Sequence, residues 1–126
     1  DFGRVGLDGK PRELHTELAK AAIDYTVLPD YRTEYGKEKN AENILVDCDY
    51  FTTSLYDMDK SVCKDLSSLD SFLIVICIAG EGKLEDAEGH TETLRQGETV
   101  LIPADCKGVT FTPSDSKLQI LTSYVK

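Results

Sequence analysis

The stretch from Ser71 to Phe111 limits the possible folds more than any other part of the chain. An apolar run from Phe72 to Ala79 is followed by Gly80-Glu81-Gly82, and a second apolar run from Thr99 to Ile102 ends at Pro103. Apolar runs of this length, bounded by glycine and proline, are typical of buried β-strands. This order of strands and turns predicts a small double-layered β-barrel.

The strand predicted at 72–79 is apolar on both faces. Ile74 and Ile76 point to one side of the sheet, and Val75 and Cys77 point to the other. In an antiparallel sheet one such face lines the interior and the other needs a cover. The N-terminal helix, a second subunit or a further domain would each serve as that cover.

Further strands are predicted on both sides of this stretch. Period-two alternation begins at Ile44, and the strand is expected to continue through Leu55 with a bulge near Phe51. A tight turn is expected at Gly80 and Gly82, and a polar hairpin around Glu88-Gly89-His90. The other predicted strands cover 61–66, 83–87, 91–95, 109–112 and 118–125. About eight to ten short strands and a single helix indicate an all-β jelly-roll barrel.

The first 43 residues differ from the rest of the chain. Residues 1–11 contain three glycines and a proline and predict an irregular connector. The apolar stripe of residues 12–25 predicts one N-terminal α-helix, with His15 as a packing or capping residue. Polar residues 31–43 predict a loop that covers the barrel. The expected division is therefore a connector over 1–43 and a barrel over 44–126.

Charge and composition exclude several classes of function. The chain has 126 residues and a formal net charge of −9, which disfavours nucleic acid and anionic membranes as partners. No apolar run is long enough to cross a membrane as a helix. The opening DFGRVGLDGK has neither an initiator Met nor a signal-peptide pattern, which is typical of a piece of a larger protein or of a chain that has lost a tag. A cytoplasmic location with reduced cysteines is expected.

The central stretch resembles the cupins, whose second motif is Gly, five residues, Pro, one residue, Gly, two residues and His. Here Gly97 and Pro103 keep that spacing, but Asp105 and Gly108 stand at the second glycine and the histidine. In the first motif, counted back from Gly80, the metal-binding Glu is replaced by Leu73, and residues 65–69 contain no histidine. The resemblance therefore implies a cupin-like double-stranded β-helix that holds no metal and is filled by side chains.

Both ends of the chain are similar to the short bacterial type I mannose-6-phosphate isomerases, which belong to the cupin superfamily. The similarity lies in Asp1-Phe2-Gly3-Arg4, in the segment from Gly9 to His15 that opens the helix, and in the run from Gln96 to Ala104. It implies a C-terminal, non-catalytic cupin domain whose partner is the catalytic half of a longer parent enzyme. That half would carry the zinc and interconvert mannose 6-phosphate and fructose 6-phosphate.

The resemblance assigns no catalytic residue and no metal ligand to this chain. Lys10, Arg12 and His15 are the residues expected near the edge of the catalytic half, close to the substrate phosphate or in the packing between domains. Two other functions remain open. One is a stand-alone, metal-free cupin that binds a sugar or another small ligand, and the other is a structural module that forms a homodimer. The exact phosphosugar and the oligomeric state stay undetermined by the sequence.

Overall fold

The computed structural model describes residues 3–126, except for the side chain of Ser116. The Asp1-Phe2 pair of the isomerase resemblance therefore lies outside the described residues. The chain divides into two compact units, one up to Arg32 and one from Thr33 to Lys126. Within the described residues, no helix is both long and apolar enough to span a membrane.

The first unit contains a short turn structure and a helix that is shorter than predicted. Helix α1 covers Thr16–Ala22, not 12–25. Before the helix, the chain forms a turn that is closed by an antiparallel bridge between Val5 and Pro11. After it, Ile23 is extended and the Asp24 carboxylate accepts a hydrogen bond from the Thr26 amide. Such a local side-chain bond competes with continuation of a helix.

Helix α1 buries none of its side chains. Leu14 and Leu18, which form part of the predicted apolar stripe, are each 68% exposed, and Tyr25 is 70% exposed. His15 occupies the position before the helix, but its side chain makes no capping hydrogen bond. The part of this unit that the structure describes, residues 3–32, therefore has an amphipathic sequence pattern but no buried apolar core.

The second unit is one antiparallel sheet of seven strands that curls on itself. The strands are β1 (Asn43–Asp47), β2 (Phe51–Met58), β3 (Val62–Asp65), β4 (Leu73–Asp86), β5 (Thr91–Arg95), β6 (Thr99–Ile102) and β7 (Gly108–Val125). Their main order is β1-β2-β7-β4-β5, while β3 pairs with β7 and β6 pairs with β4. This arrangement confirms the predicted all-β, jelly-roll class with one N-terminal helix.

Two long strands, β4 and β7, join the two halves of the curled sheet. The first half of β4 lies between β6 and the end of β7, where Ile74 pairs with both Leu101 and Ser123. The second half of β4 lies between β5 and the beginning of β7, where Leu84 pairs with Glu92 and Phe111. Each long strand thus contributes to both layers of the double-stranded β-helix.

The bend in β4 occurs at Gly80 and Gly82, where the register with β7 shifts. Gly80 has a φ of +81°, and a Cβ atom there would overlap the Lys117 carbonyl oxygen. A Cβ on Gly82 would lie 2.7 Å from the Thr112 carbonyl oxygen. The predicted tight turn at these glycines is therefore wrong: they allow one strand to bend and let β7 approach closely.

Two other predicted boundaries also differ from the structure. The segment 44–55 is a hairpin of β1 and β2, because the Cys48 amide bonds the Phe51 carbonyl across a short turn. The ranges 109–112 and 118–125 belong to the single strand β7. The short strand near 61–66 and the hairpin around Glu88-Gly89-His90 are confirmed.

The core of the second unit lies between the two layers of the sheet. Its largest fully buried side chains include Phe111, Met58 and Leu73. Within the described residues, thirteen buried apolar side chains form one cluster: Tyr56, Met58, Leu66, Leu73, Val75, Cys77, Leu84, Leu94, Ile102, Val109, Phe111, Leu118 and Ile120. The interior is thus occupied by packed side chains, as expected for a small barrel.

Candidate functional site

The positions where a cupin would hold a metal are occupied here by apolar or small residues. Leu73 is completely buried and pairs with Ile102, so it points into the barrel as a ligand would. Gly108 pairs with Asp65 at the start of β7. The described residues contain no group of three or more His, Cys, Asp or Glu side chains that would hold a metal ion.

The segment that would carry the first-motif histidines forms a turn. Leu66 is 3% exposed and belongs to the core, while Leu69 packs against it. The Asp65 carboxylate accepts a hydrogen bond from the Ser67 amide at 2.8 Å. Hydrogen bonds from Ser67 hold the pKa of Asp65 below its usual value. The carboxylate therefore has a structural partner within the turn.

A polar cluster of Glu42, Lys64 and Tyr56 lies beside the apolar core. Lys64, on the inward side of β3, donates to both Glu42 carboxylate oxygens, at 2.9 and 2.8 Å. It also donates to the Tyr56 hydroxyl at 3.2 Å, and its ammonium lies 5.7 Å from the centre of the Tyr56 ring. The Lys64 side chain is only 13% exposed. One partly buried cation is thus paired with a carboxylate, a hydroxyl and an aromatic face.

The pKa shifts in this cluster follow from burial and charge. Burial alone would raise the pKa of Glu42, but the hydrogen bonds and the positive charge of Lys64 act in the opposite direction, and the pKa lies below its ordinary value. Burial and the Glu42 charge raise the pKa of Tyr56 above its usual value. At neutral pH Glu42 is therefore a carboxylate and Tyr56 a neutral phenol.

Two buried hydroxyl groups lie next to this cluster. Ser54 and Thr122 pair across β2 and β7, and each side chain is about 1% exposed. Neither hydroxyl oxygen has a hydrogen-bond partner of good geometry among the described residues. This end of the interior is therefore polar, whereas the end around Met58 and Leu118 is apolar.

A groove of 450 Å³ opens between the β4–β5 hairpin and the loop that joins β6 to β7. Its apolar lining includes Leu84, Val100, Ile102 and Val109. Its polar lining consists of Asp86, Glu88, His90, Glu92, Asp105 and Lys107. The volume is within the range of about 300–1,000 Å³ that is usual for ligand pockets.

The hairpin tip beside the groove is held by one acidic side chain. Asp86 accepts from His90 Nδ1 at 2.8 Å and from the backbone amides of Glu88 and His90. The Asp86 carboxylate raises the pKa of His90, and the His90 hydrogen bond in turn lowers the pKa of Asp86. His90 is exposed, so the pair orders the hairpin tip at the surface.

The residues that the sequence places near a substrate all belong to the first unit. Arg12 and His15 line one shallow depression together with residues of α1. The Lys10 amide donates to Asp8, and the Lys10 side chain does not line that depression. The structure thus brings Arg12 and His15 together, while the predicted role of all three near a substrate stays a prediction.

Neither the Glu42–Lys64–Tyr56 cluster nor the groove was predicted from the sequence. One signal was available in the sequence. Lys64 lies two residues after the apolar Val62, so on a β-strand both side chains point to the same face of the sheet. An inward lysine on a short strand needs a polar or charged partner, and the partly exposed Glu42 carboxylate provides it. The groove has no comparable signal because its lining comes from separate strands and loops.

Comparison with known proteins identifies the family. The family model of the mannose-6-phosphate isomerase cupin domain matches residues 41–125. The chain belongs to this family. Among relatives, the mannose-6-phosphate isomerase ManA of Bacillus subtilis is 27% identical over 105 residues, which cover 82% of this chain and 32% of ManA. YvyI of the same bacterium is 30% identical over 113 residues, which cover 88% of this chain and 35% of YvyI.

Solved structures agree with the fold. The crystal structure of the mannose 6-phosphate isomerase from Bacillus subtilis has a TM-score of 0.69 at 24% identity, covering 98% of this chain and 38% of that protein. The protein NMB1881 from Neisseria meningitidis has a TM-score of 0.59 at 16% identity, covering 91% of this chain and all of NMB1881. The chain spans about a third of the length of the curated relatives it matches.

Proposed function

We propose that this chain is the C-terminal, non-catalytic cupin domain of a zinc-dependent mannose-6-phosphate isomerase. The observation that carries the proposal is the combination of the family match over 41–125 with a barrel whose ligand positions are Leu73 and Gly108. A carboxylate and an imidazole are the groups that zinc would need there. In this proposal the zinc, the catalytic residues and the phosphosugar selectivity belong to the remainder of a longer, cytoplasmic protein.

The outer face of the sheet is suited to contact with that remainder. Two rows of paired residues cross it, Thr53-Ser123-Ile74-Leu101 and Leu55-Leu121-Ile76-Thr99. Neither row carries a charge, and Leu101 is 59% exposed. The chain has a net charge of −9, and none of its charged side chains belongs to these rows. An uncharged, largely apolar strip of this kind is typical of a surface that another domain covers.

Two hydroxyl groups within this face already have hydrogen-bond partners. The hydroxyls of Thr53 and Ser123 lie 3.0 Å apart and form a hydrogen bond, and Ser123 also donates to the Thr52 carbonyl at 3.2 Å. These hydroxyls would not need water after the face is covered. The remainder of the longer protein is the partner we assign to the face, because the relatives extend well beyond the matched third.

In the proposed parent enzyme, this domain contributes stability and no reacting group. The zinc supplied by the catalytic half would polarise the sugar oxygens during transfer of a proton between carbons 1 and 2. Lys10, Arg12 and His15 precede the barrel, and we assign them to the edge that meets the catalytic half. A sugar site inside the barrel is disfavoured by the packed core, in which Leu73, Val75 and Phe111 are fully buried.

Elemental analysis of the purified chain tests the absence of a metal site. After incubation with zinc and removal of free metal, we expect far less than one zinc per chain, because no described ligand cluster exists to retain it. The same measurement on a zinc-binding cupin serves as the positive control. One zinc per chain, retained through gel filtration, would contradict the proposal.

A further inference from the structure

The groove beside the β4–β5 hairpin has an excess of unpaired negative charge. Glu92 on β5 and Asp105 in the β6–β7 loop both line it. Within the described part of the chain, neither carboxylate takes part in a hydrogen bond or an ion pair. The groove therefore has acidic groups on two separate elements, and neither group forms an ion pair with a described cation.

Neither of the described cations that line the groove is paired with Glu92 or Asp105. His90 is paired with Asp86 at 2.8 Å, and the Lys107 ammonium donates to the Ala104 carbonyl at 3.4 Å. Below the acidic rim lie Leu84 and Val109, both almost completely buried. A ligand that combines positive charge with apolar side chains would complement both the rim and the floor.

The strands that border the groove also have free edges. Both β5 and β6 pair only with β4, so the opposite edge of each has no strand partner within the described residues. An unpaired edge presents amide and carbonyl groups that an extended peptide can bind. This feature favours a polypeptide segment over an isolated small cation.

We propose that the groove binds a short extended polypeptide segment in which Lys or Arg side chains alternate with apolar ones. The cationic side chains lie between Glu92 and Asp105, and the apolar side chains cover Leu84 and Val100. This interaction goes beyond the proposed role in an isomerase and does not depend on it. A stand-alone chain would offer the same groove.

Fluorescence anisotropy with a labelled peptide tests the proposal. The probe is a fluorescein-labelled acetyl-Lys-Val-Lys-Val-Lys-Val-amide, titrated with the purified full chain, and its matched control replaces each Lys by Glu. We expect saturable binding of the lysine peptide that weakens with added salt, and no binding of the glutamate peptide.

Substitutions locate the binding site. We expect Glu92→Gln and Asp105→Asn each to weaken binding by up to about fivefold, the effect of losing one exposed charge pair. The matched control is Glu85→Gln, which removes an exposed carboxylate next to Leu84 in sequence and therefore on the other face of the hairpin.

Three results would overturn the proposal. The first is the absence of saturable binding by the lysine peptide. The second is equal weakening by Glu85→Gln and Glu92→Gln, since that would show general attraction to an acidic chain. The third is equally tight binding of lysine amide, measured by competition with the labelled peptide, since a free cation would then be sufficient. Circular dichroism of each variant shows that the fold is retained.

Discussion

At the scale of single residues, Lys64 is the clearest case of a charged side chain held beside the apolar core. Its ammonium contacts both carboxylate oxygens of Glu42 and the hydroxyl of Tyr56, and little of the side chain is exposed. Loss of the lysine would leave the half-buried carboxylate without its cation. Such a loss costs more than removal of an ordinary surface charge.

We expect Lys64→Met to lower the free energy of unfolding by about 1–2 kcal/mol at neutral pH. The folded-state pKa of Glu42 lies below the ordinary value of 4.5, so its contribution is present above that pH and is lost as the pH falls through the lowered pKa. The difference between the wild type and Lys64→Met should therefore shrink in acid. Urea denaturation at pH 7 and well below pH 4.5 measures both values.

The control for this prediction is Lys83→Met on β4. Lys83 is an exposed strand lysine, and its substitution should change stability by less than about 0.5 kcal/mol. Equal losses for the two lysines, or a Lys64→Met effect that does not change with pH, would show that the buried ion pair contributes no specific stability.

At the scale of strands, the two bent strands account for most of the difference between the sequence predictions and the structure. The apolar pattern correctly locates β-structure at 72–79 and 118–125 and its alternation of buried and exposed faces. The same pattern wrongly predicts two separate strands within each of β4 and β7, because glycine and proline residues such as Pro113 normally mark turns. Here Gly80 instead adopts a bend that depends on the close approach of Lys117, a contact between distant parts of the chain.

The candidate sites were less predictable than the fold. The missing metal ligands could be found from motif spacing alone, since Leu73 and Gly108 occupy fixed positions relative to Gly80 and Gly97. The Glu42–Lys64 pair and the groove depend on which strands become neighbours. Local patterns do not contain that information, because β3 pairs with β7 across more than forty residues of sequence.

We expect Gly80→Ala to lower the free energy of unfolding by more than about 3 kcal/mol, because it combines a positive φ with an overlap against the β7 backbone. Gly89→Ala is the matched control: its φ is +88°, but no atom lies within 4 Å of an added Cβ. That variant should lose only about 1 kcal/mol. Thermal or urea unfolding compares the two, and equal losses would contradict a special role for the bend.

At the scale of the whole molecule, we propose a domain that supports an enzyme without performing its chemistry, and three features bear on that proposal. The interior is packed, the described residues contain no metal-ligand cluster, and the outer sheet face carries uncharged rows that include Ile74 and Leu101. The NMB1881 likeness covers all of that chain and shows the fold alone, so it gives no reason to propose a second domain. The family match supplies the reason to propose one.

The central claim is that this chain has no isomerase chemistry of its own. The most direct measurement is a coupled assay of mannose 6-phosphate conversion to fructose 6-phosphate by the purified chain, supplied with zinc, beside an intact isomerase as the positive control. We expect no rate above the enzyme-free reaction at any chain concentration. A saturable rate that scales with the amount of chain and disappears on addition of a chelator would contradict the claim.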